Sequence, residues 1–269
     1  MSWPMVWKAM RDLRLTVFWY ALGLVFYIVL LASFYPTLER QREEFERVLQ
    51  QYPEFLFRIF GIDPQHSLFT SFAGFMHAET FGFIWPATAL IFVVLSGAAA
   101  VAQEVERGTA EFWLAVPVSR ARLLLSKQLA LLAGILFLVL TSALALAAGA
   151  AAFGGELTSR GLGQLVLTLT SFLIAFGGLA TLASAFASER SKAAGLVAGV
   201  ILLMYLAWIV AGLSEEARWL RYLSLMTAYD PQAAMLGELA WYKPIVHLVV
   251  GIGAALAALV VFTRRDIVA

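Results

Sequence analysis

The chain is 269 residues long, 61% hydrophobic and 14% charged, with 19 basic residues, 18 acidic residues and no cysteine. A mean hydropathy of +0.82 lies far above that of a soluble domain and points to a polytopic membrane protein. The net charge of +1 offers no electrostatic basis for a nucleic-acid partner, and the lack of cysteine excludes disulfides and thiolate metal sites.

At the amino terminus Trp3, Val6, Trp7, Met10 and Leu13 recur at helical spacing opposite Lys8, Arg11 and Asp12. This predicts an amphipathic helix in the headgroup plane with tryptophans at the interface; a polar lead-in to the first span is the competing reading. Basic residues before an apolar run also suggest a secretory signal. The run 15–35, however, exceeds the 7–15 or so residues of a signal's apolar core, and no small-x-small site follows cleanly. It is read as a retained span.

A crossing needs about 20 apolar residues. Six segments qualify, 15–35, 81–102, 128–153, 164–187, 193–213 and 245–262, and none contains Asp, Glu, Lys or Arg. The predicted fold is therefore an all-α polytopic membrane protein, a single transmembrane domain over 1–269 with both termini on one side. With the termini inside, inner segments carry 11 Lys and Arg in about 51 residues and outer ones 8 in about 86. The positive-inside bias then places both termini and segment 103–127 in the cytoplasm.

The outer loop 36–80 is long for a bundle connection and should hold structure of its own. Leu38, Phe45, Val48, Leu49 and Tyr52 form one helical face, with Glu43 and Arg47 paired on the other. Pro53 opens a second apolar turn over 55–60 that dips into the interface. Such a cap gates an outward exit or serves as a packing lid. His77 and Glu79 are candidates to touch a cationic substrate, with headgroup contact as the plainer alternative; His247 is read in the same way. Pro86 should kink the second span. Small residues at Ser96 to Ala100, Ala147 to Ala150, Gly177-Gly178 and Gly195-x-x-x-Gly199 mark close helix contacts, within the bundle or between two copies. Trp219, Tyr222, Trp241 and Tyr242 form an aromatic belt in the third outer connection.

Segment 103–127 concentrates seven charged residues between two apolar runs: Glu104, Glu106, Arg107, Glu111, Arg120, Arg122 and Lys127. One charge at the bilayer centre costs roughly 3 kcal/mol, so the segment lies outside the hydrocarbon. Gly108-Thr109 breaks one helix, and Thr109 can cap a short amphipathic helix over 111–116 that Pro117 ends. Ser119 can cap the helix that re-enters the membrane. Glu104 and Glu106 fall at the end of a helix whose dipole disfavours acids, which points to a protein partner.

The run Glu104-x-Glu106-Arg107-Gly108-Thr109-x-Glu111-x-x-Leu114-Ala115-x-Pro117-Val118-Ser119-Arg120 resembles the cytosolic coupling segment of type-2 ABC exporter permeases, with twelve of seventeen positions specified. Tyr229-Asp230-Pro231, Arg264-Arg265-Asp266 and the six-span layout agree with the likeness. The resemblance implies a permease subunit worked by a separate cytosolic ABC ATPase, which carries the ATP and Mg. It also implies a second copy of the chain or a related permease, in the cell membrane. Phe112, Trp113 and Leu114 would anchor the ATPase or pack toward the membrane. Glu104, Glu106, Arg107 and Glu111 would set register, and Arg120 would hold the re-entrant helix.

No Gly-x-x-x-x-Gly-Lys-Ser/Thr loop and no His-Glu-x-x-His pattern occur, so the chain has neither a phosphate loop nor that zinc motif. Acids are absent from the spans, unlike in most ion-coupled carriers. The expectation is an ATP-driven exporter subunit that is not itself an enzyme and moves a hydrophobic or amphipathic substrate. Two other readings stand beside it. One is a nucleotide-independent scaffold or channel. The other is an intramembrane serine hydrolase using Ser96 and His247, for which Val94 replaces the first glycine of the nucleophile elbow.

Overall fold

The computed structural model describes residues 3–41, 71–108 and 118–265. Nine α-helices occur among the described residues, and no strands. Five are long and apolar enough to cross a membrane; a bent pair, Phe72–Phe81 with Ile84–Ala98, completes a sixth crossing when taken as one span.

Helix α1 (Trp3–Arg40) is continuous, so the amphipathic lead-in and the first span are one helix rather than an interfacial helix followed by a span. At 1.5 Å per residue it is about 57 Å long, nearly twice the hydrocarbon thickness. Its buried stripe, Val6, Val17, Ala21, Leu24, Ile28, Ala32 and Tyr35, follows helical spacing, while Trp3 and Trp7 stay exposed. Pro36 does not end it: the first residues of the expected outer loop are helical through Arg40. The rest of that loop's expected structure, from Glu43 through the 55–60 turn, lies outside the described residues.

The chain resumes with α2 (Phe72–Met76), capped by the Ser71 side chain, and a π-turn over His77–Phe81. A 43° bend then leads into α3 (Ile84–Ala98). The bend sits at Gly82-Phe83, and Pro86 falls in the first turn of α3, where a missing N–H is tolerated. α3 stops short of the expected span end. A break at 99–101 separates it from the short α4 (Ala102–Glu106), and Gly108 adopts φ +66°, a left-handed conformation suited to a helix end.

Ser119 caps α5 (Arg120–Phe153) by accepting from the Arg122 N–H, and left-handed Gly154 closes its far end. α6 (Ser159–Phe186) follows, capped by Thr158 and the most buried of the long helices. α7 (Arg190–Leu213) buries only Ala193 and Val197. Two 3₁₀ turns (Arg218–Leu223, Leu225–Ala228) and α8 (Pro231–Leu236) lead to α9 (Tyr242–Arg264).

α6 is the hub, packed along α9 and against α3, α5, α7 and α8, while α1 lies along α5. Glycines set the closest approaches. A Cβ on Gly178 would strike the Gly251 carbonyl, and one on Gly251 would strike backbone of Ile174, so α6 and α9 meet backbone to backbone. Gly97 and Gly149 instead make room for the methyl groups of Ala180 and Ala32, whereas Gly195 and Gly199 have nothing within 4 Å. The aromatic core, including Phe81, Trp85, Phe92, Phe172 and Phe176, fills the space around α6, and Trp85 donates its indole N–H to Ser142 Oγ at 2.9 Å. Exposed apolar side chains such as Phe26, Leu144, Leu203 and Val249 suit a lipid-facing surface.

Candidate functional site

The charged end of the bundle is built around the break between α3 and α4. Residues 99–101 leave backbone groups without helical partners in a buried place, a costly state unless something replaces them. Ser184 on α6 does so. Its hydroxyl donates to the Ala98 carbonyl at 2.7 Å and accepts from the Val101 and Ala102 N–H groups at 2.9 Å each. One side chain thus uses its full bonding capacity to join two helix ends.

The break reverses the electrostatics expected from sequence. Glu104 lies in the first turn of a new helix, where the dipole favours an acid, rather than at the end of the preceding span. Both acids also have partners within the chain. Glu104 accepts from Lys127 Nζ at 2.7 Å, and Glu106 Oε2 accepts from the Arg190 backbone N–H at 3.0 Å. Burial pulls the Lys127 ammonium below the ordinary lysine range, and Glu104 opposes that shift. Within the chain, the pair ties α4 to the start of α5 and caps α7.

Two arginines tie the other helices to this end. Arg120, in the first turn of α5, donates to the Arg265 carbonyl, and Arg265 donates to the carbonyls of Ala185 and Ala187, both at 2.9 Å. Those carbonyls close α6, so a cation meets the negative end of its dipole. Arg107 is exposed beside Gly108. Of the sequence-predicted residues, Glu104, Glu106, Arg107, Gly108 and Arg120 are gathered at this end; Thr109, Glu111, Phe112, Trp113, Leu114 and Pro117 lie outside the described residues, as does Asp266.

The opposite end holds a cavity of about 550 Å³ between α3, α7 and the connection before α9. His77 lines it, but Glu79 is exposed on the other side of the π-turn, where its backbone carbonyl accepts from the Tyr27 hydroxyl. The predicted pair is thus divided. Asp230 and Lys243 (2.6 Å apart) stand in the cavity wall with Tyr205 and Trp208. Asp230 also caps α8, and the neighbouring Tyr229 hydroxyl donates to the Phe81 carbonyl. Sequence reasoning noted Tyr229-Asp230-Pro231 but not Lys243, thirteen residues on from Asp230 and joined to it only by the return of the chain.

A family model described as ABC-2 family transporter protein matches residues 3–267. The chain belongs to that family. It is a membrane (permease) subunit of an ABC-2 type transporter and a multi-pass membrane protein. No curated protein matches the chain.

In this ABC-2 permease the hydrolase constellation does not assemble. Ser96 lines a cleft at the charged end, near Lys127 and Arg107. His247 is buried near the opposite end of α9, its Nε2 at 2.9 Å from the Leu225 carbonyl. The His247 ring packs edge-on against Phe172 and is not part of the wall of the cleft that Ser96 lines. Among the described residues no cluster of His, Asp and Glu could hold a metal ion.

Proposed function

We propose that this permease is the membrane half of an ATP-driven exporter, worked from the cytoplasm by a separate ATPase that carries the ATP and Mg. Segment 103–127 is the handle. Phe112, Trp113 and Leu114 supply its apolar anchors for the ATPase, with Glu111 and Arg107 setting register.

The observation that carries this reading is the Ser184-bridged break together with its two tethers. A helix interrupted beside the charged segment, then tied by Glu104 to α5 and by Glu106 to α7, can pass a push at 103–127 to several spans at once. Helix pairs of this kind with discrete packings are what rigid-body switching requires. The outward face of α7, with Gly195 and Gly199 open, suits a second copy or a related chain. The positive-inside bias puts the charged end in the cytoplasm of the cell membrane.

The test is co-purification with the cognate ATPase. Phe112→Ala with Trp113→Ala should weaken association roughly tenfold or more, as loss of buried aromatic anchors does, without lowering the permease's own melting temperature. Undiminished association, or transport that proceeds without nucleotide, would overturn the reading and favour a channel or scaffold.

A further inference from the structure

A second cavity, of about 440 Å³, opens at the charged end between α1, α3–α4 and α5. Its size falls within the range of small-molecule sites. Its wall changes character along the helix axes. Near the mouth stand Lys8 and Asp12 of α1, Glu104 and Arg107, Lys127 of α5 and Arg190 of α7. Deeper in, the lining becomes Tyr20, Phe92, Leu95 and Leu131, with the hydroxyls of Thr16 and Ser96 between the two zones. From Lys8 to Tyr20 the wall rises about 18 Å along α1, the length of a polar head and the upper part of one alkyl chain. The cleft exists because α1 lies along α5 and meets α3 only sparsely.

Its charge is unbalanced: four basic groups face two acids, and Lys127 and Glu104 already engage each other. Arg190 provides an independent sign. Its backbone N–H is taken by Glu106, but its side-chain Nε is buried with no hydrogen-bond partner. The Arg190 side chain as a whole is only partly buried and stands in the wall of the cleft, where an anionic group would meet its charge. A free inorganic anion would satisfy the mouth and leave the apolar half of the cleft wet. A neutral hydrocarbon would fill the depth and leave Arg190 unmet.

We infer that this cleft binds an amphiphile with an anionic head, the head against Arg107 and Arg190 and the chain running up between α1 and α3 past Tyr20 and Leu95. The inference leans on the export reading only in treating that molecule as cargo; the binding itself needs no nucleotide.

The experiment uses the full chain in nanodiscs of phosphatidylcholine, with photoactivatable phosphatidylglycerol and a matched phosphatidylcholine probe, each bearing a diazirine in its upper acyl chain. Labelling should concentrate on Thr16, Tyr20 or Leu95 and favour the anionic probe. Arg190→Gln should reduce that labelling roughly tenfold, the worth of a charge-assisted hydrogen bond, and leave lipid-facing Leu144 and Val249 labelled as before. Leu95→Trp, which fills the cleft without removing a charge, should block labelling as well. Equal labelling of cleft and lipid face by both probes would overturn the inference in favour of annular lipid. Displacement of the probe by inorganic phosphate would overturn it in favour of a free-anion site. ATPase co-purification on the same preparation keeps the two ideas separate. Lost cleft labelling with intact association sinks this inference alone, and intact labelling without association sinks the export reading alone.

Discussion

Ser184 illustrates how one hydroxyl can decide the course of a membrane helix. In lipid there is no water to solvate an interrupted ladder, so the break at 99–101 exists only because a side chain from α6 replaces the missing bonds. Ser184→Ala should therefore lower stability by about 2–4 kcal/mol, the cost of two or three orphaned backbone groups, read as a fall in melting temperature in detergent. An unchanged melting temperature would show that α3 and α4 rejoin without it. The Glu104–Lys127 pair is half-sheltered, with side chains 26% and 17% exposed, and belongs between surface and interior ion pairs. A double-mutant cycle on Glu104→Gln and Lys127→Met should return a coupling of about 1–2 kcal/mol. A coupling near zero would mean the pair contributes nothing to holding α4.

Among the elements, the α6–α9 contact brings backbone against backbone and is sensitive to side-chain volume. Gly178→Leu or Gly251→Leu puts a branched side chain where backbone now sits, so the two helices must separate. Either variant should fail to give a monodisperse protein in size-exclusion chromatography. Gly195→Leu, facing open space on α7, should leave the melting temperature of the single chain unchanged. If α7 meets a second copy as proposed, the same substitution should shift the protein toward monomer. The small-residue pattern alone did not separate these cases, since Gly177-Gly178 and Gly195-x-x-x-Gly199 read alike in sequence. What distinguishes them is the neighbour across each face, which depends on the arrangement of all six crossings.

For the molecule as a whole, the tethers at the charged end act as one assembly. Arg265 is its pivot: it receives Arg120 at its carbonyl and holds the end of α6 with its guanidinium. On the export reading proposed above, Arg265→Ala should keep ATPase association while nucleotide-dependent transport falls severalfold, as loss of a partly buried charged hydrogen-bond donor would cause. Transport at the original rate would place the transmission path elsewhere. The opposite end carries its own polar set, Asp230, Lys243 and His77 around its cavity, so polar groups line cavities at both ends while the surface between them is apolar.

The sequence by itself determined the class of fold and the family: long apolar segments free of charge have few stable outcomes in a bilayer, and seventeen residues around Gly108 carried a recognisable pattern. It also singled out Glu104, Glu106, Arg107 and Arg120, which the fold gathers at one end of the bundle. What it could not reveal was the helix break at Ala99 to Val101. An alanine-rich stretch favours helix, and the hydroxyl that offsets the interruption lies more than eighty residues away. That break also changes the setting of Glu104, because a charge near a helix end changes sign in its effect when the end becomes a beginning; Glu106 remains at a helix end. The division of His77 from Glu79, the Asp230–Lys243 pairing and the charged cleft beside α1 were decided by tertiary structure alone. Each depends on which faces the helices turn toward one another, and hydropathy measures how apolar a helix is without saying what it will meet.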